Sequence, residues 1–107
     1  MSTVKTYNKL VRDSIPAIIE AKGAVCETEI LSDTDYLHLL DAKLDEELAE
    51  YHQDQNLEEL ADLMEVIYAC AKARGYTVAE LETVRAEKAE KRGGFDRKIL
   101  LKTVTEE

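Results

Sequence analysis

At 107 residues and a net charge of −9, the chain has the size of one domain, residues 1–107, and the wrong sign of charge to hold nucleic acid through its phosphates. One Pro and four Gly argue against long flexible linkers, and no apolar run has the length of a membrane span or a signal-peptide core. Cys26 and Cys70 stand far apart outside any CxxC spacing and read as two reduced thiols, so the expected setting is the cytoplasm.

Residues 1–13 form a basic lead-in with Lys5, Lys9 and Arg12. Ser14 as N-cap and Pro16 in the first turn predict a short helix over about 15–22, with Ile15, Ile18 and Ile19 on one face and Gly23 as its stop. Residues 24–31 alternate Cys26, Thr28 and Ile30 with Glu27 and Glu29, the pattern of an edge strand or an extended loop. Ser32 or Asp33 opens a second helix, to about residue 53, whose apolar stripe is Tyr36, Leu40, Leu44, Leu48 and Tyr51. At ~100° per residue Glu47 falls inside that stripe and Glu50 at its edge. An acid there costs stability unless it is paired or ligated.

After a short turn, Asn56 with Glu59 reads as a capping box for a third helix over about 57–74. This helix carries two stripes. One is Leu60, Leu63, Met64, Ile67 and Ala71; the other is Val66, Ala69 and Ala73, reaching back to Glu59 and Asp62. Apolar on two sides, it is expected to be central. Thr77 with Glu80 opens a fourth helix over about 78–92, whose stripe begins with Val78 and Leu81 and turns basic at Arg85, Lys88 and Arg92. Residues 95–104 alternate as a possible strand. The expected fold is all-α: a four-helix antiparallel core with short extended terminal segments, assembling as an oligomer because a chain this short buries a limited core.

Charge is concentrated in one block. From Asp33 to Glu65 there are twelve acidic residues and one basic residue, Lys43, a charge of −11 against +2 for everything else. Within it lie two carboxylate pairs at i, i+3, Glu47 with Glu50 and Glu59 with Asp62, so the members of each pair are neighbours on a helix surface. With the two helices joined by a short turn, the four acids should meet near it. Like charges brought together call for a cation. An all-oxygen set fits Mg²⁺, with Mn²⁺ as a substitute, whereas His38 and His52 lack the partner spacing that zinc would need. Such a site suits attack of water on phosphorus, with a neighbouring carboxylate, Glu46 being one candidate, taking the proton.

The order ExxE then ExxD on consecutive helices, written here as Glu46-Glu47-Leu48-Ala49-Glu50 and Glu59-Leu60-Ala61-Asp62, resembles the all-α nucleoside triphosphate pyrophosphohydrolase superfamily. That group includes the MazG-like proteins, the dimeric dUTP pyrophosphatases and phosphoribosyl-ATP pyrophosphohydrolase. Lys88-Ala89-Glu90-Lys91-Arg92 is similar to the family's KxxxR. The opening from Tyr7 to Pro16 and the closing Arg92-Gly93-Gly94-Phe95 are similar to a small MazG-like branch. The resemblance implies a homodimer or homotetramer, Mg²⁺ on Glu47, Glu50, Glu59 and Asp62, and hydrolysis of a nucleotide substrate between its α and β phosphates. It implies phosphate contacts by Lys88 and Arg92, with Lys9 and Arg12 as further candidates. For those two the plainer expectation is solubility, or tying the lead-in to an acidic helix. Two alternatives stand beside the reading: hydrolysis of phosphoribosyl-ATP, and a non-enzymatic helical adaptor whose acidic block meets a basic partner.

Overall fold

The computed structural model describes residues 3–106; Met1, Ser2 and Glu107, the outermost residues of the expected single domain, lie outside them. Four helices form: α1 (Ile15–Ala21), α2 (Asp33–Asp54), α3 (Leu57–Ala73) and α4 (Val78–Arg92). Their ends fall within one residue of those read from the sequence, because the signals at those ends are local. Ser32 Oγ accepts from the Asp35 N–H at 3.2 Å, and Asn56 Oδ1 from the Glu59 N–H at 2.9 Å. Thr77 and Glu80 form both bonds of a reciprocal capping box.

The C-terminal end of α3 is closed by Gly75 at φ +90, a left-handed conformation that a side chain would strain. Its N–H reaches the Lys72 carbonyl and the Tyr76 N–H the Ala71 carbonyl, the paired bonds of a Schellman stop. Gln55 adopts the left-handed conformation at the end of α2, and with Asn56 completes a two-residue connection to α3.

Three local expectations are corrected. Ser14 makes no side-chain cap, because its own backbone is already in the helical region and its hydroxyl is not presented to the first turn. At Asn56 only half of the capping box forms: Asn56 accepts from Glu59, and the Glu59 side chain does not return the bond. No strand occurs among the described residues: 24–31 takes the loop alternative, and the possible strand at 95–104 does not form. The alternation of the tail is real, but a strand exists only through a ladder of partners, and the lead-in does not supply one among the described residues. Instead the tail turns at Phe95, whose carbonyl accepts from the Lys98 N–H at 3.1 Å, and continues without regular secondary structure.

The helices pack as α2 on α3, with α4 lying more lightly on α3; the backbone of α1 stays apart from the others, and Ile15 at its start faces α2 and α3 across a cavity. The core of this arrangement is small. Leu40 on α2 and Val66 on α3 are its buried apolar residues, with Glu47 buried beside them. Of the two stripes on α3, the smaller one is covered: Val66 is buried, and Ala69, Ala73, Glu59 and Asp62 are half-buried. Leu60, Met64 and Ile67 of the bulkier stripe remain 44%, 51% and 39% exposed. Small side chains allow close helix–helix approach, which explains why α2 takes that face and leaves the larger side chains open.

Candidate metal centre

Glu47 owes its position to helical arithmetic. It lies seven residues after Leu40, two turns along the same face, and so enters the interface with α3 and is only 7% exposed. Asn56 starts α3 two residues after α2 ends, which brings Glu59 and Asp62 onto the first turns opposite Glu47. Ligand oxygens of Glu47, Glu59 and Asp62 lie within 4.8 Å of one another, as do those of Glu46, Glu47 and Glu50. Glu47 is common to both groups. Of the four acids expected to hold a cation, Glu47, Glu59 and Asp62 form one group, while Glu50 joins Glu47 in the other together with Glu46.

Two oxygens in this cluster are buried with no hydrogen-bond partner, Glu47 Oε2 and Glu59 Oε2. A buried polar atom left unpaired is costly. The electrostatics carry the same signature. Burial, then the charge of Glu50, pushes the Glu47 carboxyl above the usual carboxylate range despite the nearby Lys43. Glu59 is pushed up by desolvation and then by Asp54, Asp62 and Glu47. Each carboxyl is held where its charge is unwelcome without a counter-ion.

Glu46 behaves in the opposite way. Lys9 Nζ donates to its Oε1 at 2.8 Å and Lys43 Nζ to its Oε2 at 3.5 Å. The Lys9 bond, with the charges of both ammonium groups, draws its carboxyl below the ordinary value against the cost of burial. Ionised, it can accept a proton, but its basicity is reduced. Lys43 also stands 3.4 Å from Glu47 Oε1 and is well covered, with 18% of its side chain exposed. The sequence reading assigned Lys43 no role. Its signal was present all the same: the one cation in the acidic block, three and four residues before Glu46 and Glu47.

Arg12 Nη2 reaches Asp62 Oδ1 at 2.6 Å. Between the lead-in and the helices lies an open cavity of about 250 Å³ lined by Val11, Arg12, Ile15, Lys43, Glu47 and Asp62. Lys9 and Arg12 therefore meet the plainer of the two expectations, tying the lead-in to the acidic helices. Lys88 and Arg92 are exposed on α4, and neither pairs with the cluster nor lines the cavity among the described residues.

The donor set fits a hard divalent cation. All its donors are carboxylate oxygens within 4.8 Å of one another, and oxygens ~2.1 Å from one Mg²⁺ are at most about 4.2 Å apart, so the side chains would draw in around the ion. Cys26 and Cys70 are free thiols outside the cluster, and no histidine enters it, so nothing in it selects zinc.

No protein-family model and no solved structure matches the chain. An uncharacterized protein of Mycolicibacterium smegmatis (strain ATCC 700084 / mc(2)155) is 55% identical over 42 residues, which cover 39% of this chain and 43% of that relative. The match spans less than half the length of either protein. No described helix is long and apolar enough to cross a membrane.

Proposed function

We propose that the chain is a Mg²⁺-dependent nucleotide pyrophosphohydrolase of the MazG-like kind, cleaving (d)NTPs to a nucleoside monophosphate and pyrophosphate and serving to clear unwanted nucleotides. The observation that carries this reading is the pair of carboxylate groups that share Glu47, one with Glu46 and Glu50 and the other with Glu59 and Asp62, with buried unpartnered oxygens on Glu47 and Glu59. These four carboxylates would hold the cation, which when bound would neutralise charge on the phosphate oxygens. Glu47 and Glu59, destabilised as free anions, gain most from it. Glu46, ionised and adjacent, is placed to take the proton of an attacking water. Lys43 keeps Glu46 and Glu47 oriented toward the cluster. In the same reading α2 and α3 form an antiparallel hairpin. The approach of Arg74 to Asp41, 3.9 Å apart at the end far from the turn, supports that arrangement.

A nucleotide panel incubated with Mg²⁺ tests the activity through release of pyrophosphate, and direct comparison with phosphoribosyl-ATP separates the biosynthetic alternative. The adaptor alternative predicts neither turnover nor stabilisation by Mg²⁺.

Assembly as a homodimer or homotetramer belongs to the same reading. A compact 12.1 kDa protein exposes ~6000 Å² and, at this length, has a radius of gyration near 13 Å. This chain exposes 10010 Å² with a radius of gyration of 19.1 Å. The extended terminal segments account for part of the excess, but Leu60, Met64 and Ile67 lie on the best-packed helix. Light scattering on the purified protein should give a dimer or tetramer, and Met64→Asp with Ile67→Asp should shift it toward monomer. A wild-type monomer at tens of micromolar would contradict the assembly.

A further inference from the structure

The lead-in has little reason of its own to lie where it does. From Thr3 to Ser14 every side chain is exposed except half-buried Leu10, which faces Leu39 and Ala42, and the backbone of α1 beyond it stays apart from the other helices. Two long-range ion pairs hold it down, Lys9 on Glu46 and Arg12 on Asp62, linking residues 37 and 50 positions apart. Arg12 takes one oxygen of Asp62, a residue of the buried acidic group, and the cavity behind it opens onto Glu47. The lead-in cations therefore stand in for part of the charge that a divalent ion would bring. A guanidinium and a divalent cation on the same carboxylate repel each other, so the two forms of compensation compete. Once displaced, Lys9 and Arg12 are free donors at the mouth of a site whose occupant has become positive. An anion bound there would meet a point charge and a planar fork.

We propose that residues 7–14 are a cation-released strap: Lys9 and Arg12 rest on Glu46 and Asp62 in the metal-free protein, leave them when Mg²⁺ binds, and close again onto a phosphate-bearing ligand. The proposal rests on the acidic cluster being a cation site, so Mg²⁺ binding is measured separately from movement of the strap. Trypsin cuts after Lys and Arg, which makes the two strap cations their own reporters. Cleavage after Lys9 and Arg12 is followed by mass spectrometry, with cleavage after Lys102 in the exposed tail as the internal reference.

Saturating Mg²⁺, verified by calorimetry, is expected to speed cleavage at Lys9 and Arg12 about fivefold relative to Lys102, the scale of releasing exposed ion pairs. NaCl of equal ionic strength should produce a smaller change, and inorganic pyrophosphate added with Mg²⁺ should restore protection. Arg12→Gln should raise Mg²⁺ affinity about fivefold, while Arg97→Gln in the tail leaves it unchanged. Mg²⁺ binding with no change in strap cleavage, or Arg12→Gln with unaltered or weaker affinity, overturns the strap and leaves the cation site standing. Failure of pyrophosphate to restore protection overturns the closing step. Absence of Mg²⁺ binding overturns the cation site and the strap together.

Discussion

Glu47→Gln is expected to lower Mg²⁺-dependent pyrophosphate release by about a hundredfold or more while leaving the helical content unchanged. The substitution keeps the side chain's volume and one acceptor oxygen, so α2 still packs on α3. It removes the charge shared by both carboxylate groups. Charge neutralisation by a bound cation is worth several kcal/mol in such reactions, and each ~1.4 kcal/mol is tenfold in rate. Without Mg²⁺ the variant should be at least as stable as the wild type, because Glu47 is only 7% exposed and one of its oxygens has no partner. Glu58→Gln, exposed on the first turn of α3, is the matched control and should retain full activity. Full activity in Glu47→Gln would remove Glu47 from the site.

The second large effect is on stability. A ligand that binds only the folded state adds ~2.7 kcal/mol at a hundred times its dissociation constant, and each kcal/mol moves the midpoint of a domain this size by roughly 4–8 °C. Saturating Mg²⁺ should therefore raise the melting temperature by about 10 °C or more. Its pH dependence follows from the direction of the carboxyl shifts. Glu47 and Glu59 lie above their unfolded values in the metal-free fold, which therefore binds protons more tightly than the unfolded chain. Their contribution is fully present below about pH 4.3 and is lost as pH rises through the raised folded values. Glu46 has the opposite sign: its contribution is present above about pH 4.3 and is lost as pH falls through its lowered folded value. Metal-free protein should thus be most stable on the acid side of neutrality, and Mg²⁺, which favours the ionised carboxylates, should reverse the slope. Melting curves across pH, with Mg²⁺ or with a chelator, check this; parallel curves under the two conditions would refute it.

Much of the fold and the heart of the site could be read from local chemistry. Ser32, Asn56, Thr77 and Gly75 mark helix ends through bonds to residues three to five positions away, and each does so in the structure. The meeting of Glu47 with Glu59 and Asp62 was legible because a two-residue connection leaves two helices few ways to pack. What was not legible depends on partners distant in sequence. That Lys9 and Arg12 tie the lead-in to an acidic helix was an open expectation, but which acids they take, Glu46 and Asp62 at 37 and 50 residues' remove, is encoded by no periodicity. The choice between the two stripes of α3 was equally hidden, since both are apolar and only the geometry of approach favours Val66, Ala69 and Ala73 over Leu60, Met64 and Ile67. The tail misled for a related reason. Alternation at Phe95, Arg97, Ile99 and Leu101 describes a segment able to join a sheet, and the described residues form no sheet to join.

These features describe a helical scaffold with a marginal core that places an acid at one of its few buried positions. Ordinary packing would place leucine at residue 47. A carboxylate there, near two more on α3, is costly in the metal-free chain and would become favourable with a divalent cation bound. The same logic covers the lead-in, whose two cations offset part of that charge.

Phosphorus NMR of the protein incubated with a panel of ribo- and deoxyribonucleoside triphosphates and Mg²⁺ tests the central claim most directly. The account predicts a nucleoside monophosphate and pyrophosphate from at least one of them, with the reaction abolished by a chelator. Release of orthophosphate and a diphosphate instead, or no turnover of any nucleotide by folded, Mg²⁺-bound protein, would contradict it.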